Sequence, residues 1–381
     1  MLSDAEGSPG GAGGRRTDPY GAHGFSRAAW MRLVTGSGRQ YEWLSAEQLP
    51  DAIEGFECLV LPATYALDER TVEAARELLA RGGTVIADMG VGLTNEFGRP
   101  GARARALEEL FGVSYAERPA WEEREITLPG GGPMQVVGAA GIEVRGAEVI
   151  AAADGEPLIM RKDHQGGGRA YYLNFVAPRT SEMLAWLEES VFADLPRIAR
   201  FGHLPGEPGE YEVVALERGP VTLLGVLRER RFQLSDGPMT LTLPDAQQIY
   251  DVRAGSYLGR TDTVTADLRP GETALYAALP YRVQGVAIET ADATAGEACT
   301  VTARIEATAP TPGDHVLRVE VREPGGALSE AYGRNVLAER GRAQVTIPFA
   351  LNDTPGEWAV AVRDVATGQA ATAAITLAPP Q

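Results

Sequence analysis

The segment Phe56–Gly92, FECLVLPATYALDERTVEAARELLARGGTVIADMGVG, is the most informative stretch of this sequence. Residues 57–62 predict an apolar strand, Asp68 can cap a helix, and a Gly-Gly pair can end that helix before a second strand at 84–88. This strand–helix–strand order is the half-unit of a doubly wound α/β domain. In such domains the loops that follow the strands hold ligands or catalysts.

The candidate ligand-facing residues lie in or beside the loops that follow these two strands. They are Thr64, Tyr65, Asp88, Met89, Asn95 and Glu96. Neither loop contains an evident nucleophile, general base or phosphate-binding pattern. The sequence therefore predicts a scaffold of the kind that carries sites, with no catalytic residue and no cofactor-binding residue on it.

The length and charge of the chain limit its partners. A chain of 381 residues is long enough for two or three domains. Its formal net charge of −17 argues against binding to nucleic acid or to an anionic membrane surface, both of which need a basic footprint. A neutral ligand such as a carbohydrate is compatible with this acidic protein.

Targeting signals are absent from the sequence as given. No apolar run has the length of a transmembrane helix. The first residues are rich in Gly, Ser, Pro and Asp and contain no apolar core of a signal peptide, so we expect disorder there and a cytoplasmic location.

The pattern along the chain predicts a multidomain protein in which an α/β flavodoxin-like domain precedes two all-β sandwich domains. After the α/β part, short strands alternate with period two and are separated by turns, as in sandwiches. The predicted parts are a disordered N-terminus (1–25), the α/β domain (26–201) with a β insertion at about 120–150, a linker (202–210), a β-sandwich (211–281) and an immunoglobulin-like sandwich (282–381). Ser26 can cap the first helix, and Tyr41 and Trp43 suit a short strand. We expect Trp43 and Met89 to serve packing.

Several of these segments resemble a known family. The opening segment together with GRAYYLNF (168–175) resembles the class I glutamine-amidotransferase-like domain that follows the barrel in family 42 β-galactosidases, where it is called the trimerisation domain. IYDVRAGSYLGRTDTVTADLRPGETALYAALPY (249–281) looks like the β-sandwich after it. HVLRVEVREPGG (315–326) and FALNDTPGEWAVAVRDVATG (349–368) look like the closing immunoglobulin-like domain.

This resemblance covers about residues 26–381 and implies an accessory role. In the family the catalytic carboxylates belong to an N-terminal (β/α)8 barrel, for which the sequence as given has no counterpart. The resemblance therefore implies a non-catalytic oligomerisation portion of a glycoside hydrolase, by analogy a homotrimer, and supplies no catalytic residue. A carbohydrate-binding or cell-surface adhesion module is one alternative, and a hydrolase with an unrecognised site in the α/β loops is another.

Amidotransferase chemistry is not expected. It needs a Cys nucleophile on a sharp strand-to-helix turn with a His and a Glu beside it. The corresponding turn, ADMGVG, has Met89 and Gly90 where the thiol would be, and no H-x-E occurs in the sequence. Cys58 lies inside the earlier strand, which favours a buried structural thiol.

Other chemistries find equally little support. Asn95-Glu96 resembles the Asn-Glu pair that carries the acid in many barrel glycosidases, yet a polar loop explains it as well. The glycine clusters LPGGGP and DHQGGGR lie between predicted strands, which favours hairpin turns over phosphate loops. The four histidines are scattered, so no metal site is predicted, and Asn352-Asp353 favours a turn before Trp358 over a calcium site.

Aromatic side chains leave carbohydrate contact open. The candidates for stacking on sugar rings are Trp121, Tyr171, Tyr172, Tyr257 and Trp358. Strand alternation turns at least one of the two adjacent tyrosines towards the core. We expect most of the five to be packing residues.

Overall fold

The computed structural model describes residues 19–115, 121–139, 141–202, 208–230 and 238–380. Strands predominate over helices in these residues, so the protein is β-rich. Most of the predicted disordered N-terminus and the central part of the predicted linker lie outside the described residues.

The described residues belong to two compact units. Unit 1 contains the residues up to Arg197 together with 208–210. Unit 2 contains residues 198–202 and those from Tyr211 onward.

The helices are concentrated in unit 1. They are α1 (Pro19–Gly36), α2 (Leu49–Ala52), a short 3-10 helix (Ile53–Gly55), α3 (Glu69–Ala80), α4 (Ala104–Phe111) and α5 (Ser181–Ser190). None of the helices in the described ranges combines the length and the hydrophobicity that crossing a lipid bilayer requires.

The strands of unit 1 form one mixed sheet and two small ribbons. They are β1 (Cys58–Leu61), β2 (Thr84–Ala87), β3 (Val113–Tyr115), β4 (Trp121–Thr127), β5 (Pro133–Ala139), β6 (Ile142–Val144), β7 (Glu148–Ala153), β8 (Glu156–Asp163) and β9 (Arg169–Leu173). The main sheet has the order β1-β2-β9-β8-β7, in which β1, β2 and β9 are parallel and the last two pairings are antiparallel. The ribbons pair β3 with β6 and β4 with β5.

The predicted strand–helix–strand unit is present. Asp68 caps α3, its Oδ1 accepting the Thr71 N–H at 2.8 Å. The apolar face that the sequence turns inward is buried in the core; it comprises Val72, Ala75, Leu78 and Leu79. Just past the end of the helix, a Cβ added to Gly83 would lie 2.2 Å from Leu78 Cδ1, so the buried Leu78 side chain would have to shift.

Helix α1 differs from the sequence prediction at its start. It begins at Pro19, so residues 19–25 are helical, and Ser26 lies inside the helix and is buried, where it cannot act as an N-cap. Two features favour the earlier start. Proline is well tolerated in a first helical turn, and Ala22 and Phe25 add an apolar face that packs in unit 1.

The two glycine clusters form hairpin turns, as predicted. LPGGGP connects β4 to β5, with Thr127 opposite Pro133. DHQGGG connects β8 to β9, where the N–H of His164 donates to the carbonyl of Gly168 at 2.8 Å. Between the ribbons and β8, strand β7 joins the main sheet, so the predicted β insertion is partly continuous with it.

The first β region of unit 2 is a single six-stranded sheet. Its strands are β10 (Arg200–Phe201), β11 (Tyr211–Arg218), β12 (Val221–Arg228), β13 (Met239–Asp251), β14 (Ser256–Ala266) and β15 (Thr273–Leu279). The order is β10-β13-β15-β12-β11, with β14 also paired to β13. The register of β13 shifts between Thr242 and Gln247. Such an irregularity bends a strand, and here it allows β13 to pair with β10 at one end and β15 at the other.

The second β region of unit 2 is a two-sheet sandwich. Its strands are β16 (Val283–Glu289), β17 (Ala293–Thr294), β18 (Ala298–Ala307), β19 (His315–Arg322), β20 (Leu328–Ala338), β21 (Arg342–Pro348), β22 (Gly356–Asp364) and β23 (Ala370–Ala378). One sheet has the order β16-β18-β21 and the other β17-β23-β22-β19-β20. The inward-facing residues of both sheets share one hydrophobic core with residues of the first β region.

Candidate functional site

The candidate site lies at the carboxyl ends of the parallel strands β1, β2 and β9. The loops after β1 and β2 meet there, because parallel strands end at the same edge of a sheet. The Gly92 N–H donates to the carbonyl of Thr64 at 2.9 Å, and the Thr94 N–H donates to that of Tyr65 at 3.0 Å. The two loops that the sequence singles out are therefore joined.

Asp88 is the buried centre of this edge. Its Oδ2 accepts hydrogen bonds from Ser26 Oγ at 2.5 Å, Trp30 Nε1 at 3.2 Å and the Ala177 N–H at 3.3 Å. Its Oδ1 accepts the N–H of Ala63. Burial raises the pKa of this fully buried carboxyl to about 6, against the lowering effect of its donors. Asp88 thus joins α1 to the loops after β1 and β9.

The loop after β1 has a strained backbone that side chains hold in place. Ala63 is fully buried and has a φ of 39°, a conformation that costs a non-glycine residue free energy. Nδ1 of His23 lies 3.1 Å from the carbonyl oxygens of both Pro62 and Ala63. Since carbonyls only accept, the geometry assigns the proton to this nitrogen. His23 and Asp88 therefore hold the two sides of the same peptide segment.

The position of an amidotransferase nucleophile is closed. Met89 is fully buried and packs with a small apolar cluster. The next residue, Gly90, has a φ of 91°, and an added Cβ would lie 2.2 Å from Cε1 of Tyr65. The Gly90 N–H donates to the Tyr172 hydroxyl at 3.3 Å. Neither a reactive side chain nor an exposed turn is present here.

Tyr65 covers the edge from the outside. Its ring stacks on Trp121, with centroids 5.2 Å apart and planes 23° from parallel. Both rings pack against the cluster that contains Met89. The two stacked rings thus cover the apolar cluster beside the end of β2.

Asn95 and Glu96 belong to a separate surface turn. Oδ1 of Asn95 accepts the N–H groups of Phe97 at 3.1 Å and Arg99 at 2.9 Å, which is the pattern of an Asx turn. Glu96 is exposed, and its Oε2 accepts Nη2 of Arg103 at 2.9 Å. Its partner is a cation, whereas glycoside hydrolysis would need a second carboxylate facing it.

The six candidate residues chosen from the sequence therefore divide into two groups. Tyr65, Asp88 and Met89 meet at the filled edge, with Thr64 contributing its backbone, while the Asn95–Glu96 turn lies on the surface. Sequence reasoning missed the donors on α1. Ser26 and Trp30 are four residues apart and so share one helix face. Two hydrogen-bond donors on an otherwise apolar helix face indicate a buried acceptor opposite them, and this was the sequence signal that could have identified them.

Most of the candidate sugar-stacking aromatics are inaccessible. Tyr171, Tyr172 and Trp358 are buried. The half-buried Tyr257 has the guanidinium of Arg282 4.7 Å from its ring centroid. We predicted that these residues pack, and the structure confirms it for the three buried ones.

Trp43 differs from its prediction. It lies outside any strand, and its side chain is 46% exposed. Tyr41 meets it edge-on with centroids 5.8 Å apart, and the Arg27 guanidinium lies 5.0 Å from its ring centroid. No strand of the described residues pairs with this segment, so the alternation of apolar residues does not place Trp43 in the core.

A shallow cleft of about 370 Å³ lies near the β8–β9 hairpin of unit 1. Its lining includes two arginines whose charges are already paired. Arg161 Nη2 binds Glu148 at 2.8 Å, and Arg169 Nη1 lies 3.2 Å from Asp194. The carboxylates around the cleft oppose an anionic ligand.

Metal ligands do not cluster in the described part of the chain: no group of three or more His, Cys, Asp or Glu side chains is placed to hold an ion. At the predicted turn before Trp358, Oδ2 of Asp353 accepts the Tyr332 hydroxyl at 2.5 Å and the Ala350 N–H at 2.7 Å. The turn interpretation is confirmed there.

Comparison with solved structures identifies similar folds among family 42 β-galactosidases. Gan42B, a GH42 β-galactosidase, aligns at a TM-score of 0.50 and 16% identity over 65% of this chain and 35% of that one. A catalytic mutant of Gan42B from G. stearothermophilus gives 0.51 and 16% over 67% and 36%. The β-galactosidase from Bacillus circulans sp. alkalophilus gives 0.53 and 17% over 67% and 37%. No protein-family model matches the chain, and no curated protein does.

These similarities establish a GH42-like fold over about two thirds of the chain. The chain spans little more than a third of the length of each of these β-galactosidases. At this level of identity the likeness concerns the fold alone.

Proposed function

We propose that this chain is a non-catalytic accessory and oligomerisation portion of a β-galactosidase-like glycoside hydrolase. On this proposal unit 1 is a degenerate amidotransferase-like α/β domain, and the last sandwich is immunoglobulin-like. The catalytic carboxylates would belong to a barrel outside the residues given.

The observation that carries the proposal is the filled edge of the unit 1 sheet. Asp88 has four protein donors, and Met89 is buried where a nucleophile would be needed. A fully buried carboxylate that accepts four protein donors can fix loops, but its oxygens are not exposed to a substrate. The edge is thus built for stability, which suits a domain whose task is assembly.

The fold similarity supports the assignment to this class. The chain aligns with only part of each GH42 β-galactosidase, as expected of a portion of such a protein. By analogy with the trimerisation domain that the sequence resembles, the assembly would be a homotrimer.

Light scattering on the purified chain tests the assembly role. The proposal predicts a mass close to three times 40.5 kDa at micromolar concentration. A strict monomer over the same concentration range would contradict it.

Carbohydrate binding is the second candidate, and the exposed Trp43 favours it. Its ring is oriented by Tyr41 and Arg27, and an oriented, exposed aromatic ring can stack on the apolar face of a sugar. This candidate predicts retarded migration in native gels that contain galactan. Trp43→Ala should abolish the retardation, whereas Phe97→Ala, at an aromatic residue that is 78% exposed, should leave it unchanged.

A further inference from the structure

The segment Pro62–Leu67 lies over the carboxyl edge of the unit 1 sheet with a strained backbone. Ala63 has a φ of 39° although it carries a side chain, and it is fully buried. At such a positive φ an alanine is destabilised relative to a glycine. The conformation persists only where neighbouring groups impose it, so the groups that hold Ala63 decide the state of the whole segment.

Two side chains hold the strained peptide from opposite sides. The buried Asp88 accepts the Ala63 N–H. The half-buried His23, on the first turns of α1, has its Nδ1 3.1 Å from the carbonyl oxygens of both Pro62 and Ala63. Of the two, His23 can be removed without leaving four buried donors unpaired, which makes it the side chain through which the segment can be released.

The segment places the ring of Tyr65 against two neighbours. The ring stacks on Trp121 with centroids 5.2 Å apart, and it leaves no room for a side chain at Gly90. The indole N–H of Trp121 is nevertheless buried, and no acceptor among the described residues binds it. A buried donor without an acceptor costs free energy. The closed arrangement therefore carries a second cost besides the strain at Ala63.

We propose that Pro62–Leu67 is a lid over the sheet edge and that His23 keeps it closed. The closed lid gains the stacking of Tyr65 and the contacts of His23. Opening relieves both costs, because Ala63 can return to a negative φ and water can reach the indole N–H of Trp121. These opposing contributions make the lid a two-state element, whose opening uncovers the edge while the sheet stays folded.

His23→Ala removes the residue that holds the lid and leaves the strain at Ala63 in place. His164→Ala is the matched control. The ring of His164 is also half-buried, and its Nε2 lies 2.8 Å from the carbonyl oxygen of Leu110, again a backbone contact within unit 1. It belongs to the β8–β9 hairpin, at the end of β9 opposite to the lid.

Three backbone N–H groups report the closed lid, because each donates within it. That of Ala63 donates to Asp88, that of Tyr65 to the carbonyl of Ala63 at 3.0 Å, and that of Leu67 to the carbonyl of Thr94 at 3.1 Å. Hydrogen exchange of the full-length protein without denaturant, read by mass spectrometry on peptides that cover residues 63–67, follows these groups.

In His23→Ala the exchange of these peptides should be about tenfold faster than in the wild type, the order expected for the loss of a hydrogen bond to a backbone carbonyl. Peptides from α3 and β9 should keep their wild-type exchange, which shows that the unit remains folded. His164→Ala should leave the lid peptides unchanged. Wild-type exchange of the lid in His23→Ala would overturn the proposal, as would an equal acceleration in His164→Ala.

The strain at Ala63 has a separate test in a double variant. Adding Ala63→Gly to His23→Ala removes the cost of the positive φ, so the exchange of the lid should slow severalfold relative to His23→Ala alone. Without strain, the more flexible glycine would leave the exchange equal or make it faster. Equal or faster exchange in the double variant would therefore overturn the proposal.

Discussion

Two fully buried carboxylates, those of Asp88 and Asp364, differ in the hydrogen-bond donors that surround them. Asp88 in unit 1 accepts from a serine, an indole and two backbone N–H groups. Asp364 in unit 2 accepts from a threonine and a histidine that is itself bonded to a tyrosine. The first is surrounded by donors that do not titrate, and the second lies in a chain of titratable side chains.

The difference separates two ways of stabilising a fold. Asp88 joins three segments of one unit at a single point. Asp364 is the end of a hydrogen-bonded chain that links the connection between the two β regions to the second region. Neither carboxylate reaches solvent.

The largest effect is expected at Asp88. Asp88→Ala leaves four donors unpaired inside unit 1 and should lower the free energy of unfolding by about 3 kcal/mol or more at pH 7. Urea denaturation of the full-length chain, followed by a probe in unit 1, measures this loss. Glu96→Ala is the control, because removing an exposed ion pair should cost at most about 1 kcal/mol. Equal losses in the two variants would contradict the role given to Asp88.

The pH dependence of Asp88 sharpens the comparison. Its pKa is raised by burial from 3.8 to about 6, so between these values the folded state holds a proton that the unfolded state has lost. The contribution of Asp88 to the free energy of unfolding is largest below about pH 4 and decreases as the pH rises through about 6. Above about pH 7 it no longer changes, and the total decrease is about 2–3 kcal/mol. The difference in stability between wild type and Asp88→Asn, measured from pH 4 to 7, should show this slope. A difference that does not vary with pH would refute it.

A smaller effect is expected at Gly90. Gly90→Ala meets both the positive φ and the ring of Tyr65, and should cost about 2 kcal/mol. Gly98→Ala shares a positive φ, 73°, but has open space around it, so about 1 kcal/mol is expected. The melting temperature of Gly90→Ala reports the clash with Tyr65 together with the backbone strain, whereas that of Gly98→Ala reports the backbone strain alone. Identical shifts would mean that Tyr65 does not close the edge.

The smallest effect is expected at Glu96. Glu96→Gln keeps the surface turn, which depends on Asn95, and weakens only the contact with Arg103. We expect a change of less than about 0.5 kcal/mol in the free energy of unfolding. A loss above 2 kcal/mol would show that this turn is more than a polar surface feature.

Sequence patterns predicted the helix caps, helix faces and hairpin turns that depend on residues close together in the chain. The cap at Asp68, the apolar face of α3 and both glycine hairpins follow from residues a few positions apart. The alternation of apolar and polar residues along each strand likewise predicted the β-rich second half of the chain.

Long-range pairings could not be predicted in this way. The donors of Asp88 lie 25 to 89 residues away in sequence, and 49 residues separate His315 from Asp364. Ser26 fits an N-cap by residue type, and only the tertiary position of Asp88 reveals its other role. Trp43 alternates like a strand residue but has no partner strand, so burial did not follow from the pattern.

Hydrolysis of an aryl-galactoside by the purified chain tests whether unit 1 is a filled scaffold without a catalytic site. We expect no turnover above that of a buffer control. Turnover that co-purifies with the chain and is lost in a folded Asp88→Asn variant would contradict it, because Asp88 would then act on a substrate.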